Sequence, residues 1–235
     1  MDRETLSRLN PGLGILESGD AALARYARPL RLEGLGLLLA AADGLVPSDL
    51  GANAYVASSP ALEVLPESRT FAPCVGFVEY QVGWNAGPNS TLNGLEWHKS
   101  AEILVAVSDL AVFLGRVEDL EHGPDGLGYE TSRLACLFLH RGEALEIMPG
   151  TLHLAPCKVT AAGFKSLVVL PRGTNTPLSD AEREAARGAV RRGNEEAAFV
   201  FMRNKWIIAH PERAALVDAG ALPRLRGPNL AVRFE

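Results

Sequence analysis

Between about Cys74 and Pro171 the chain alternates short runs of valine, isoleucine, leucine and aromatic residues with clusters of glycine, proline, asparagine and aspartate. Branched and aromatic side chains in runs of this length read as strands. The pattern predicts them near Val75 to Val82, Leu95 to Val107, Leu110 to Arg116, Leu134 to Leu139, Ala144 to Ile147, His153 to Val159 and Phe164 to Leu170. The separators carry turn chemistry, as in Gly83 to Asn93 and in Gly123-Pro124-Asp125-Gly126. Many short strands at roughly even spacing point to a sandwich or barrel and not to a parallel α/β sheet.

The flanks have a different character. Residues 1–72 read as an N-terminal arm of short helices and loops. In it Asp20 caps a segment from Ala21 to Tyr26, which Pro29 interrupts, and a second helix runs from about Leu35 to Ala42 until Asp43-Gly44 stops it. Residues 173–235 read as a helical extension. Ser179 and Glu182, three apart, form a capping box that opens a helix to about Arg192, and Gly193 ends it. Ala197 to Ile208 is apolar and aromatic, and His210-Pro211-Glu212 opens a last short helix that Gly220 closes. The expected organisation is one structural domain, with both arms packed on a β core spanning residues 73–172.

The stretch from Asn93 to Glu102 carries the chemistry. Side chains alternate across a strand, so Glu96, His98 and Glu102, at even spacing, would share one face. His153, in Pro149-Gly150-Thr151-Leu152-His153, is a fourth candidate ligand. Imidazole and carboxylate together suit one divalent ion of zinc, manganese, nickel, cobalt or iron.

Bulk properties narrow the partners. Apolar content of 47% and charged content of 22% are those of an ordinary globular protein. A net charge of -5 with scattered basic residues argues against nucleic acid and leaves a small-molecule substrate as the expected partner. Three cysteines without disulfide-framework spacing favour a reducing compartment. The mixed charge of Met1-Asp2-Arg3-Glu4 speaks against a secretory leader, and runs such as Leu37 to Ala42 are too short to span a bilayer. The expected location is the cytoplasm, away from membranes. Gly12-Leu13-Gly14 and Gly34-Leu35-Gly36 lack the rest of a dinucleotide fingerprint, and there is no Gly-x-Ser-x-Gly elbow.

The Glu-x-His-x-x-x-Glu segment and the later Gly142 to His153 segment, with its Pro149-Gly150 turn, resemble the two metal-binding motifs of the cupin superfamily. Residue by residue, Glu96 stands where the first histidine of the family pattern would be. His98 matches the second histidine, Glu102 the glutamate and His153 the last histidine. The resemblance covers roughly residues 75–172. It implies a mainly β fold, a cupin double-stranded β-helix or jelly-roll barrel, flanked here by the two helical arms, and a homodimer as the expected assembly. A carboxylate in place of an imidazole at Glu96 hardens the site. Within cupins, Glu-x-His followed by Pro-Gly-Thr-x-His looks most like the ureidoglycolate lyase branch. Leu92 to Lys99 and Asn204 to Glu212 also resemble an uncharacterised bacterial cupin-like family.

What the resemblance implies is a metal-dependent isomerase or lyase of a small sugar, sugar acid or α-hydroxy or keto acid. Lys99 and Lys165 are the expected proton carriers, with Tyr80, Gln81, Asn93 and Cys157 contacting substrate. Plainer readings stand beside these: Lys99 offsets the two glutamates, Lys165 points to solvent, and Cys157 is a small buried thiol. Glu118, Asp119, Glu121 and His122 read as an exposed loop, and His140 and His210 as capping or surface residues. Three other readings remain open: a ureidoglycolate-type carbon-nitrogen lyase, a non-catalytic metal- or sugar-binding cupin, and dioxygen chemistry at iron, as many cupins perform.

Overall fold

The computed structural model describes residues 1–48 and 50–235. The N-terminal arm holds α1 (Arg3–Leu9), β1 (Ile15–Leu16), β2 (Ala27–Leu30), α2 (Leu35–Leu45), β3 (Ala54–Val56) and α3 (Pro60–Glu63). The core begins with β4 (Tyr80–Gly87), β5 (Gly94–Trp97), β6 (Glu102–Ala106) and β7 (Leu110–Arg116). A small hairpin of β8 (Glu121–Gly123) and β9 (Gly126–Glu130) precedes β10 (Ala135–Leu139) and β11 (Ala144–Ile147). Then come β12 (Thr151–Leu152), β13 (Cys157–Lys158) and β14 (Phe164–Pro171). The C-terminal segment contributes α4 (Asp180–Arg191), β15 (Val200–Met202), β16 (Lys205–Ala209), α5 (Ala214–Asp218) and β17 (Leu225–Arg226).

Two sheets face one another. The first runs β2-β11-β6-β14-β4-β3, and the second runs β1-β10-β7-β12 with β13 also on β7. A bridge between Glu96 and His153 adds β5 beside β12, and β16 pairs with β5 in turn. Along the chain the core strands cross repeatedly between the sheets: β4 in the first, β5 beside the second through the Glu96–His153 bridge, β6 in the first, β7 and β10 in the second, β11 in the first, β12 in the second and β14 in the first. That crossing pattern is the double-sheet jelly roll of cupins.

Strand parity assigns each face. Leu104, Ala106, Val168 and Leu170 of the first sheet meet Leu110, Val112, Leu114 and Leu137 of the second in the space between the sheets. The opposite face of the first sheet, with Val82, Ile103, Val105, Leu167 and Val169, is covered by Leu38, Leu39, Leu62 and Phe71 of the N-terminal arm. The outer face of the second sheet, with Phe113, Cys136 and Phe138, is covered by Leu6, Ile15, Phe199 and Val232 from both arms. Each such side chain, once buried, contributes ~1.5–3 kcal/mol of hydrophobic stabilisation. With both faces buried, β6 and β7 read in sequence as continuous apolar runs without alternation.

Several expected elements differ in the structure. The single strand from Leu95 to Val107 is two strands, β5 and β6, in different sheets. The chain turns between them at Lys99-Ser100, where the Asn204 side chain accepts from Lys99 N and donates to Ser100 Oγ. The strand expected from Val75 starts only at Tyr80, because Gly76 and Phe77 take positive φ values of 64° and 60° and turn the chain. The strand expected from His153 to Val159 is reduced to β13, since Pro156 breaks the ladder. The arms carry the capping box at Ser179 and Glu182 and helices near the expected places, but α2 runs through Asp43-Gly44 to Leu45, Asp20 makes no side-chain cap bond, α5 opens only at Ala214, and further strands extend the two sheets.

Candidate metal centre

Main-chain bonds bring the two motifs together before any side chain is considered. Glu96 N donates to His153 O at 2.5 Å and His153 N to Glu96 O at 2.8 Å, so these side chains start from adjacent positions. Gly150 N donates to His98 O at 2.9 Å, pinning the turn after β5. Gly150 has φ of 74°, and a Cβ there would lie 2.9 Å from Val117 Cγ1, so the Pro149-Gly150 turn needs glycine twice over. Glu102 opens β6 on the parity of Leu104, and therefore points between the sheets.

Four side chains converge. Glu102 Oε2 lies 3.3 Å from His98 Nε2 and 3.3 Å from His153 Nε2, and Glu96 Oε1 lies 3.8 Å from His98 Nε2. Ligand atoms of Glu96, His98 and His153 all fall within 4.8 Å of one another. His98, Glu102 and His153 are buried, and the Glu96 side chain is only 13% exposed.

The outer nitrogens of both rings are committed. His98 Nδ1 bonds the carbonyl of Asn204 at 2.5 Å, and His153 Nδ1 bonds the carbonyl of Thr151 at 2.9 Å. A carbonyl only accepts, so each Nδ1 carries the proton. In its neutral form each ring therefore presents an Nε2 lone pair inward. Both Nε2 atoms and Glu96 Oε2 are buried without a hydrogen bond among the described residues. The contacts of Glu102 to the rings have ion-pair distance but poor N–H alignment, and Lys205 Nζ touches Glu96 Oε2 as an ion pair in the same undirected way. Orphaned buried lone pairs from two imidazoles beside two carboxylates are the donor set of a divalent transition ion.

The charges inside the site are coupled. Burial alone would raise the Glu102 carboxyl, but protonated His153 and then His98 outweigh it and hold Glu102 below the usual carboxylate range. Burial likewise opposes charge on His153, yet Glu102 and then Glu96 raise it above its ordinary value.

The centre opens into a cavity of about 240 Å³. Glu96, Glu102 and His153 form its floor. Asn85, Asn89, Asn93 and Tyr55 supply hydrogen-bonding groups, and Lys205 and Arg213 supply positive charge. Tyr55 is 41% exposed overall, yet burial at its hydroxyl end and then the Glu102 and Glu96 carboxylates raise its phenol above the ordinary value, so it stays protonated. Its hydroxyl accepts a bond from Asn175 Nδ2 at 2.7 Å.

Of the residues expected to contact substrate, Asn93 lines the cavity. The others lie elsewhere. Lys99, next to His98 in sequence, faces outward, pairs with Glu196 and stacks over Trp206. Lys165 alternates out of the inner face and donates from Nζ to the Val46 carbonyl at 2.8 Å. Tyr80 shares the outer parity of Val82 and donates to Ser68 O at 3.0 Å. Gln81 is occupied by Thr174 O and Gly173 N. Cys157 sits in the apolar cluster outside the second sheet, because Pro156 breaks its parity with His153. His210, expected to cap or to lie at the surface, is buried; its Nδ1 accepts from Glu212 N at 3.2 Å, as a cap does, and its Nε2 donates to Gly227 O at 3.0 Å.

The residues missed by pattern reading come from the C-terminal segment. Met202 pairs with Lys205, leaving Arg203-Asn204 as a two-residue hairpin turn with Asn204 at φ of 53°. The signal was present as a polar pair interrupting an apolar run.

Residues 15–230 match the family described as Domain of unknown function (DUF4867). Among curated proteins, none matches the chain. Solved structures similar to it include EvdO2 from Micromonospora carbonacea var. aurantiaca complexed with 2-oxoglutarate, 13% identical over 72% of this chain and 89% of that one, with a TM-score of 0.43. A mutant oxalate decarboxylase of Bacillus subtilis is 9% identical over 41% of this chain, with a TM-score of 0.29. Procruciferin, an 11S globulin of Brassica napus, is 12% identical over 60% of this chain, with a TM-score of 0.30. The chain covers only 22% of the oxalate decarboxylase and 25% of the procruciferin.

Proposed function

The chain belongs to the DUF4867 family, and we propose that it is a metal-dependent enzyme moving a proton on a small hydroxylated metabolite, as an isomerase or lyase. Its substrates on this reading are sugars, sugar acids or α-hydroxy or keto acids. The observation that carries the reading is the shared tautomer of His98 and His153, each fixed by a main-chain carbonyl with its Nε2 turned toward Glu102. Glu96, His98, Glu102 and His153 would hold one divalent ion of zinc, manganese, nickel, cobalt or iron. Such an ion, when bound, supplies Lewis-acid polarisation of a carbonyl or hydroxyl oxygen.

The chain's own residues supply the rest. Glu96 faces His98 with Oε1 and Lys205 with Oε2, and on this reading Lys205, oriented by Glu96, is the proton carrier of the cavity. A proton taken from the carbon beside the carbonyl returns at the neighbouring carbon in an isomerase. In a lyase the electron pair left behind expels a group one carbon further on. Tyr55 stays protonated and donates a hydrogen bond to a substrate oxygen, while the asparagines orient hydroxyl groups. Leu104, Val168, Leu154 and Leu216 exclude water from the walls.

The experiment is proton exchange in D₂O, followed by NMR, with metal-loaded protein and a panel of aldoses, ketoses, uronates, hydroxy acids and ureidoglycolate. Deuterium entering one of them with the wild type, and not with a folded His153→Ala or Lys205→Met variant, is the expected result. No exchange or turnover across the panel would leave a binding barrel as the better reading.

A further inference from the structure

The cavity's charge says more about the ligand than its shape does. Glu96 and Glu102 contribute two negative charges to it, and Lys205 and Arg213 two positive ones. Protein groups alone therefore balance when the histidines are neutral. One divalent ion on Glu96, His98, Glu102 and His153 leaves an excess of two positive charges in and around a half-open, partly apolar cavity, a field that favours an anionic ligand. Lys205 is already spent on Glu96.

Arg203 pairs with Glu182 and Arg226 with Glu130, whereas Arg213, like Arg192 and Arg224, has no carboxylate in ion-pair range among the described residues. It nonetheless lines the cavity, at the head of α5. The position is built: Gly94 lets α5 lie against β5, since a Cβ there would sit 2.9 Å from Leu216 Cδ2 and 3.0 Å from Ile208 O. Arg213 N also donates to His210 O at 2.9 Å, tying the start of α5 to the buried His210. An exposed, unpaired guanidinium on a main chain fixed at the cavity rim is suited to a carboxylate, which it can grip through two parallel hydrogen bonds.

We infer that Arg213 is the carboxylate-binding residue of the site, and that the ligand is the anionic member of the proposed substrate range, a hydroxylated carboxylic acid and not a neutral sugar. This rests on the metal reading, because the excess positive charge appears only with the ion in place. At about 240 Å³ the cavity is near the small end of ligand pockets, the scale of a small sugar acid. Arg213 acts by binding and orienting, with the carboxylate at the rim and the hydroxyl-bearing carbons toward the floor.

The test is calorimetric binding of glycolate, malate, gluconate and galacturonate to metal-loaded protein, with glucitol and galactose as the uncharged counterparts. The expected result is preference for at least one anion over its neutral counterpart, falling roughly 10- to 100-fold in Arg213→Gln and less in Arg213→Lys, as loss of a charge-assisted partner requires. Metal content and melting temperature of the variants should match the wild type. Equal binding of anions and neutral probes, no saturable binding of any anion, or a preference that survives in Arg213→Gln would overturn the inference. Elemental analysis of the same samples separates the two levels. Loaded protein that shows no anion preference refutes this inference alone, and protein that takes up no metal refutes the reading beneath it as well.

Discussion

His98 gives its Nδ1 proton to the main-chain carbonyl of Asn204, 106 positions later in the chain, at 2.5 Å. The same asparagine holds the turn beneath that histidine, accepting from Lys99 N at 3.0 Å and donating to Ser100 Oγ at 2.8 Å and Thr174 Oγ1 at 3.1 Å. A hairpin tip of the C-terminal segment thus fixes the tautomer and angle of a candidate ligand in the jelly roll.

Asn204→Gly keeps the positive φ that the hairpin needs but removes those three side-chain bonds. Metal affinity should fall ~10- to 100-fold, as for loss of other groups that orient ligands. Competition titration with a chromogenic chelator measures it. Asn204→Ala should be worse than Asn204→Gly, because alanine also resists the left-handed backbone.

His153→Ala should destabilise the metal-free protein by about 3–5 kcal/mol, since it leaves Glu102 buried without its main countercharge. Adding Glu102→Gln to the same variant should recover part of that loss. Urea unfolding of the single and double variants, without metal, gives both values.

The acid-base behaviour of the empty site has a definite sign. The raised His153 contributes stability that is fully present below its unfolded value of 6.5 and is lost as the pH rises through its folded value. The lowered Glu102 contributes stability present above its unfolded value of 4.5 and lost as the pH falls through its folded value. Both describe one interaction, so metal-free protein should be most stable between 4.5 and 6.5. Metal requires neutral imidazole, so binding should tighten above that window and release protons. Melting curves with and without metal from pH 4 to 9 should diverge on the alkaline side.

Thiol labelling checks the placement of Cys157. Burial pushes Cys136 up to about 12 and Cys157 well above the ordinary thiol value, whereas Cys74 is half-buried and raised by burial and then by Glu146. One thiol, Cys74, should react with iodoacetamide in the native protein, and all three after unfolding. Fast native labelling of Cys157 would place it at the cavity instead.

The legible parts of the site were those encoded locally. Glu96, His98, Glu102 and His153 stand at spacings visible in two short segments, and the apolar runs located β6, β7, β10, β11 and β14 within a few residues. What was misread depended on distant partners. Nothing between Leu95 and Val107 announces a break, because the residue that stabilises the turn there is Asn204. Lys99 and Lys165 looked catalytic through closeness in sequence to ligands or apolar strands, but alternation and the turn at Lys99-Ser100 carry both outward. Lys205 and Arg213 belong to a segment read as helical, and reach the cavity only because β16 pairs with β5. Two sheets buried on both faces also erased the period-two signal that would have separated inner from outer residues in β6 and β7.

The central claim is that four side chains hold one divalent ion, and elemental analysis of protein purified without a metal-binding tag tests it most directly. Wild type should contain, or take up on reconstitution, about one equivalent of a transition metal per chain, and folded His98→Ala and His153→Ala variants should contain almost none. Wild-type protein that stays metal-free after reconstitution, or variants that keep the full equivalent, would contradict the account.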